Sequence, residues 1–254
     1  MQRHKHTRIT FLHGLGGTPS HWTAVIENMS WADCSTPRLP WSWDDCYSWW
    51  GNLEAAEEAV SSATNGSDIV VAHSFATSVL INALGAGRIE QPQAVVFIAP
   101  LFRGSRKDFP FDEIERMLRT YQGCLAASIS KRANRCTDIP DLWAMARVAK
   151  GALGSGAWSA FLHAYLSTAA NLQLPSTHAL IVKGMRDHVS PSGDARSLHE
   201  ALPGSLLLIG NFGHFPMLER QHALADLLRR GLDELGVRTS YESVNHHDPF
   251  KEFI

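Results

Sequence analysis

Asp68-Ile69-Val70-Val71-Ala72-His73-Ser74-Phe75-Ala76-Thr77-Ser78-Val79-Leu80 is the stretch whose reading decides the fold. Ile69 to Val71 are β-branched and apolar without alternation, the pattern of a strand buried on both faces. From Phe75 onward the chain reads as a helix, which leaves Ser74 as a one-residue corner between the two. A hydroxyl at such a corner stands clear of the sheet, and the helix that follows points its positive N-terminal end at it. Strand and helix nearly touch at this corner, so the positions two before and two after Ser74 must be small. They are Ala72 and Ala76.

Composition bounds what the chain around this corner can be. Its 254 residues fit one α/β domain with an insertion. A hydrophobic fraction of 44% and a charged fraction of 19% are those of a folded enzyme rather than a disordered chain. A formal net charge of −2 argues against nucleic acid or an anionic membrane as partner. No export signal and no apolar run of spanning length are legible, so a cytoplasmic location with reduced thiols is expected. The cysteines Cys34, Cys46, Cys124 and Cys136 show no C-x-x-C spacing, and the thirteen histidines are scattered. No metal site and no cofactor is expected.

Other strands fall into place on either side. Arg8 to Leu12 is a buried run ending in His13-Gly14-Leu15-Gly16-Gly17, and Gln93 to Ala99 is another. His178 to Gly184 and Ser205 to Ile209 follow later in the chain, and a last helix is expected from about Gln221 to Leu235. Residues 101–174 break the alternation with helical patterns near 111–127, 139–152 and 157–170. Between Arg103 and Lys150 there are ten Lys/Arg against six Asp/Glu, a local balance of +4. That balance is either a set of solvated helix faces or an entrance that attracts an anionic substrate. Trp41, Trp43, Trp49 and Trp50 crowd one loop, either as packing or as the wall of an apolar pocket.

Two further loops carry titratable groups directly behind core strands. Gly184-Met185-Arg186-Asp187-His188 follows one strand, and Gly213-His214-Phe215-Pro216 follows the last. A serine hydroxyl is a poor nucleophile at neutral pH and needs an imidazole to take its proton, itself oriented by a carboxylate. The order Ser74, Asp187, His214, each at a strand end, resembles that of the α/β-hydrolases, whose elbow pattern G-x-S-x-G has glycine where this chain has Ala72 and Ala76.

The resemblance covers most of residues 8–235. It implies a mostly parallel sheet with a shortened N-terminal hairpin, a core of residues 1–100 and 175–236, a helical lid over 101–174, and a tail over 237–254. By position in the family, Ser74 is the nucleophile, His214 the base and Asp187 its orienter. The backbone amides of Leu15 and Phe75 are then the oxyanion donors, and Trp41, Trp143 and Phe215 line the substrate pocket. His13 and His73 are expected to be structural.

In size and lid charge the chain is similar to the carboxylesterases that cleave pimeloyl-carrier methyl ester. The activity implied is hydrolysis of a small-molecule acyl ester or thioester, with an acyl carrier protein as a further partner. Acyl transfer, C–C bond hydrolysis and a non-catalytic receptor of the same fold stay open as alternatives.

Overall fold

A computed structural model describes residues 6–43, 49, 52–104, 111–132, 139–174 and 177–237. Cys46, Trp50, Cys136 and the tail beyond Val237 lie outside the described residues. Six strands form one sheet in the order β2-β1-β3-β4-β5-β6, with every neighbouring pair parallel. They are β1 (Thr7–Leu12), β2 (Ala32–Ser35), β3 (Ile69–His73), β4 (Ala94–Ile98), β5 (His178–Gly184) and β6 (Leu206–Gly210). The residues of β3 and β4 are buried without exception, which is why their sequences are continuous apolar runs. Among the described residues there is no antiparallel strand, so the expected shortened hairpin is absent there. The chain enters the sheet at β1, which pairs in parallel with β2 on one side and β3 on the other.

Helices cover both faces. On one side lie α2 (Leu53–Thr64), α3 (Phe75–Gly85), α6 (Gly154–Asn171) and α7 (Ser192–Ala201), packed on Val70, Ala72, Phe97 and Ile181. On the other lie α1 (Thr23–Ile26) and α9 (Gln221–Glu234), packed on Phe11, Val71, Val96 and Val182. Leu224, Leu228 and Leu232 recur at helical spacing along α9 and are fully buried, each contributing about 1.5–3 kcal/mol of apolar burial. Among the described residues no helix is long and apolar enough to cross a membrane.

The stretch from α4 (Phe111–Arg132) through α5 (Ile139–Ala152) to α6 matches the three expected helical patterns but not their expected common role. α4 and α5 form the hairpin above the strand ends. α6 instead packs on α3, where a Cβ on Gly85 would overlap the carbonyl of Asn171. Asn82 Nδ2 donates to the Ala164 carbonyl at 2.9 Å and its Oδ1 accepts from Asn171 Nδ2 at 2.7 Å. α6 is therefore the crossover between β4 and β5, a core layer rather than lid. The root of the insertion is held by side chains at three successive amides. Leu101 N donates to Thr77 Oγ1 at 3.0 Å, Phe102 N to Asp194 Oδ2 at 3.0 Å and Arg103 N to Thr168 Oγ1 at 2.9 Å.

Strand order reverses at β1, because β2 lies on one side of it and β3, reached next, on the other. In open parallel sheets the crevice beyond the carboxyl ends at such a switch point is where ligands bind. The loops after β1 and β3 both open there, and they carry the His13–Gly17 turn and Ser74.

Candidate active site

Ser74 occupies the turn between β3 and α3 with φ 54° and ψ −121°, a conformation that L residues rarely adopt. Its own backbone is tied on both sides. Ser74 N donates to the Ile98 carbonyl at 2.9 Å, and its carbonyl accepts from Thr77 Oγ1 at 2.6 Å. Ala72 and Ala76, the small residues foreseen on either side of the corner, are both fully buried. A third small residue completes the corner. A Cβ on Gly14 would sit 3.0 Å from both Ser74 Cβ and His73 Nδ1.

The three loops expected to converge do so. His214 Nε2 lies 3.0 Å from Ser74 Oγ, and His214 Nδ1 lies 3.0 Å from Asp187 Oδ1. Asp187 Oδ1 also accepts from the amides of Val189 at 2.9 Å and Ser190 at 3.1 Å. Burial would push the Asp187 carboxyl up, but His214, the Lys183 ammonium and the Val189 amide together hold it well below the usual carboxylate range. Gly184 lets the acid loop and the histidine loop meet, because a Cβ there would overlap the Phe212 carbonyl. All three side-chain groups are buried.

Leu15 and Phe75 flank the hydroxyl as expected. Phe75 is the first residue of α3, so its N–H has no intrahelical acceptor, and among the described residues the Leu15 amide donates to no backbone carbonyl. The glycine turn is locked from behind by its neighbours. His13 Nδ1 lies 3.0 Å from the Gly14 carbonyl and Nε2 lies 2.8 Å from Ser42 Oγ, while Trp41 Nε1 donates to the His13 carbonyl at 2.9 Å. From above, Tyr121 of α4 donates its hydroxyl to the Leu15 carbonyl at 2.7 Å.

A cavity of about 660 Å³ opens over Ser74, within the range of small-molecule sites. Phe215 lines it as expected, together with Trp43 and the apolar faces of α4 and α5, at Leu125, Ile129, Met145 and Val148. The other two residues assigned to it are corrected. Trp41 is fully buried behind the glycine turn, stacked edge-on against Phe75 at 5.1 Å, and does not reach the cavity. Trp143 is not among the lining residues, because the α5 face that lines the cavity carries Ala144, Met145, Val148 and Ala149. His73 lies under the corner, with Nε2 donating to the His214 carbonyl at 2.8 Å, and burial holds its imidazole neutral. Among the described residues no three His, Cys, Asp or Glu side chains converge as a metal site would.

Two participants escaped the sequence reading. Tyr121 was legible only as one of several apolar positions on a helix. Lys183 was visible as the one charge in the β5 run His178-Ala179-Leu180-Ile181-Val182-Lys183-Gly184, sharing the parity of the core residues Ala179 and Ile181.

An all-parallel sheet with a strained serine corner at its switch point defines a doubly covered α/β enzyme fold. The sequence matches the Alpha/beta hydrolase family over residues 11–227, and the chain belongs to that family. Among curated protein sequences none matches. Solved structures share the fold at low identity. A meta-cleavage product hydrolase of Pseudomonas fluorescens is 17% identical, with 90% of this chain and 91% of that one covered at a TM-score of 0.59. A hydrolase of Oleispira antarctica is 15% identical, with 90% and 92% covered and a TM-score of 0.57. The thioesterase domain of the curacin biosynthetic pathway is 13% identical, with 89% and 91% covered at 0.57.

Proposed function

We propose that this hydrolase cleaves a carboxylic ester or thioester with an apolar acyl part, through an acyl-enzyme on Ser74. The observation that carries the reading is the chain of two 3.0 Å contacts from Ser74 Oγ through His214 to Asp187, set at the floor of an apolar cavity. Ser74 Oγ attacks the acyl carbon while its proton passes to His214 Nε2, and Asp187 stabilises the imidazolium. The carbonyl oxygen takes the negative charge against the Leu15 and Phe75 amides, each such donor being worth about 2.7–4 kcal/mol. His214 then gives its proton to the departing alkoxide or thiolate. Water reverses the sequence: its proton goes to His214, the acid is released, and Ser74 recovers its hydrogen.

The cavity argues for a neutral acyl chain. Among the described lining residues there is no Lys, Arg, Asp or Glu, so a terminal carboxylate entering it would be desolvated without a cationic side chain to pair with. An acyl group delivered by a carrier protein is covered by the same chemistry, but three of the described lid cations are already engaged within the protein. Arg119 pairs with Glu115 at 2.6 Å, Arg116 donates to the His188 carbonyl at 2.7 Å, and Lys150 to the Leu118 carbonyl at 2.8 Å.

The test combines labelling with a substrate panel. A fluorophosphonate should add one adduct to the wild type and none to Ser74→Ala, and p-nitrophenyl esters of neutral acids should outrun those bearing a terminal carboxylate. Labelling that persists in Ser74→Ala removes the nucleophile, and a preference for the charged esters removes the apolar acyl part.

A further inference from the structure

β5 ends in a buried cation beside the candidate acid. Lys183 follows the alternation of Ala179 and Ile181 into the core, and its side chain is 9% exposed. Its Nζ donates to the Ser190 carbonyl at 2.8 Å and to the Asp187 carbonyl at 3.4 Å, and lies 3.1 Å from Asp187 Oδ2. Among the described residues Oδ2 is buried and accepts no aligned hydrogen bond, so the ammonium faces it as a charge. Asp187 thus turns one oxygen to His214 and two amides, and the other to Lys183.

We propose that Lys183 is a positioning residue of this assembly, holding the acid loop in place and extending to lower pH the range in which His214 acts as a base. This rests on the serine hydrolase reading above. The argument is one of charge. A resting group of serine, neutral histidine and aspartate carries one negative charge, and so does its tetrahedral state, in which imidazolium is offset by the oxyanion. Away from bulk water an unmatched buried charge is costly. Lys183 brings both states to zero. It also places a second positive charge beyond the carboxylate that His214 leans on, which disfavours the imidazolium when no oxyanion is present.

The other ionisable groups around His214 do not take this part. His73, with its ring 4.9 Å from that of His214, is kept neutral by burial, and His21 bears on the same cluster from the turn before α1. Glu219 of the short helix α8 (Pro216–Glu219) accepts from Gly213 N at 2.8 Å and faces Arg186 at 3.9 Å. Burial pushes the Cys124 thiol of α4 up to about 12, so it stays neutral. Arg116, also on α4, is engaged with the His188 carbonyl. Asp194 of α7, the other buried carboxyl that feels Lys183, is pushed up to about 8 by burial and largely keeps its proton at neutral pH.

The experiment is the pH dependence of kcat/KM with p-nitrophenyl butyrate for wild type, Lys183→Met and Lys183→Arg. A like charge disfavours the protonated form of a neighbouring imidazole. The midpoint of the acid limb should therefore rise in Lys183→Met and stay at the wild-type position in Lys183→Arg. Lys183→Gln, which keeps a donor for the Ser190 carbonyl without the charge, should show the same rise and serves if the Met variant does not fold. A lower rate with an unmoved midpoint in both neutral variants overturns the proposal and leaves Lys183 a structural residue. If fluorophosphonate does not label wild-type Ser74, the serine hydrolase reading fails and this proposal with it. Labelling with an unmoved midpoint sinks the lysine alone.

Discussion

Ser74 holds its hydroxyl up at the expense of its backbone. A non-glycine residue at φ 54° and ψ −121° stores about 1–3 kcal/mol, retained only because the Ile98 and Thr77 contacts fix it. Two variants isolate that strain. Ser74→Gly should be more stable than Ser74→Ala by about 1 kcal/mol in urea denaturation, although glycine is ordinarily the worse of the two for stability. Asp187→Asn tests the orienting role separately, because an amide can present the wrong tautomer to His214. A fall in kcat on the order of 10⁴ with little change in KM is expected. Ser74, Asp187 and His214 could be picked out because each lies in the loop behind a sheet strand, where sequence pattern and chain order can both be read. Lys183 was not, because which loop atoms its ammonium meets depends on how residues 187–190 fold back. Trp41 and Trp143 were misplaced for a related reason: an aromatic residue in a loop or on a helix does not declare in sequence which way it faces.

At the scale of elements, α4 does more than roof the cavity. Its Tyr121 hydroxyl is bonded to the carbonyl of Leu15, the residue whose amide the proposed mechanism uses as an oxyanion donor. Tyr121→Phe should cost about 1 kcal/mol of stability and lower kcat roughly tenfold while KM changes little. An equal loss in KM would mean that the tyrosine only shapes the pocket. The α3–α6 contact makes a different demand. Gly85→Ala forces a methyl into the Asn171 carbonyl and should destabilise the fold by about 1–3 kcal/mol, measurable as a lower urea midpoint. The helical patterns of 101–174 were readable from periodicity, but their division into hairpin and crossover was not. Periodicity reports that a helix has a buried face, and only the approach at Gly85 tells which partner covers it.

Across the whole molecule, the insertion is anchored by a carboxyl that prefers to be neutral. Burial raises Asp194 to about 8, against an ordinary value near 3.8 in the unfolded chain, although the Phe102 amide favours its charged form. Between those values the folded state binds the extra proton, so stability falls as pH rises from about 4 to about 8 and is level above that, by at most about 1.4 kcal/mol per unit. Asp187, held low, acts at the opposite end and loses its contribution only in acid. Asp194→Asn should flatten the decline in Tm between pH 5 and 8, and parallel profiles for the two proteins would refute the assignment. Because α6 belongs to the core, the α4–α5 hairpin is, among the described residues, the large piece above the sheet that supplies cavity wall without supplying sheet cover. For protein engineering, and for the divergence of related chains, this makes residues 111–152 an exchangeable cassette. If the proposed function holds, a transplanted hairpin should change chain-length preference while Ser74, Asp187 and His214 stay where they are. It must bring with it one hydroxyl that reaches the Leu15 carbonyl.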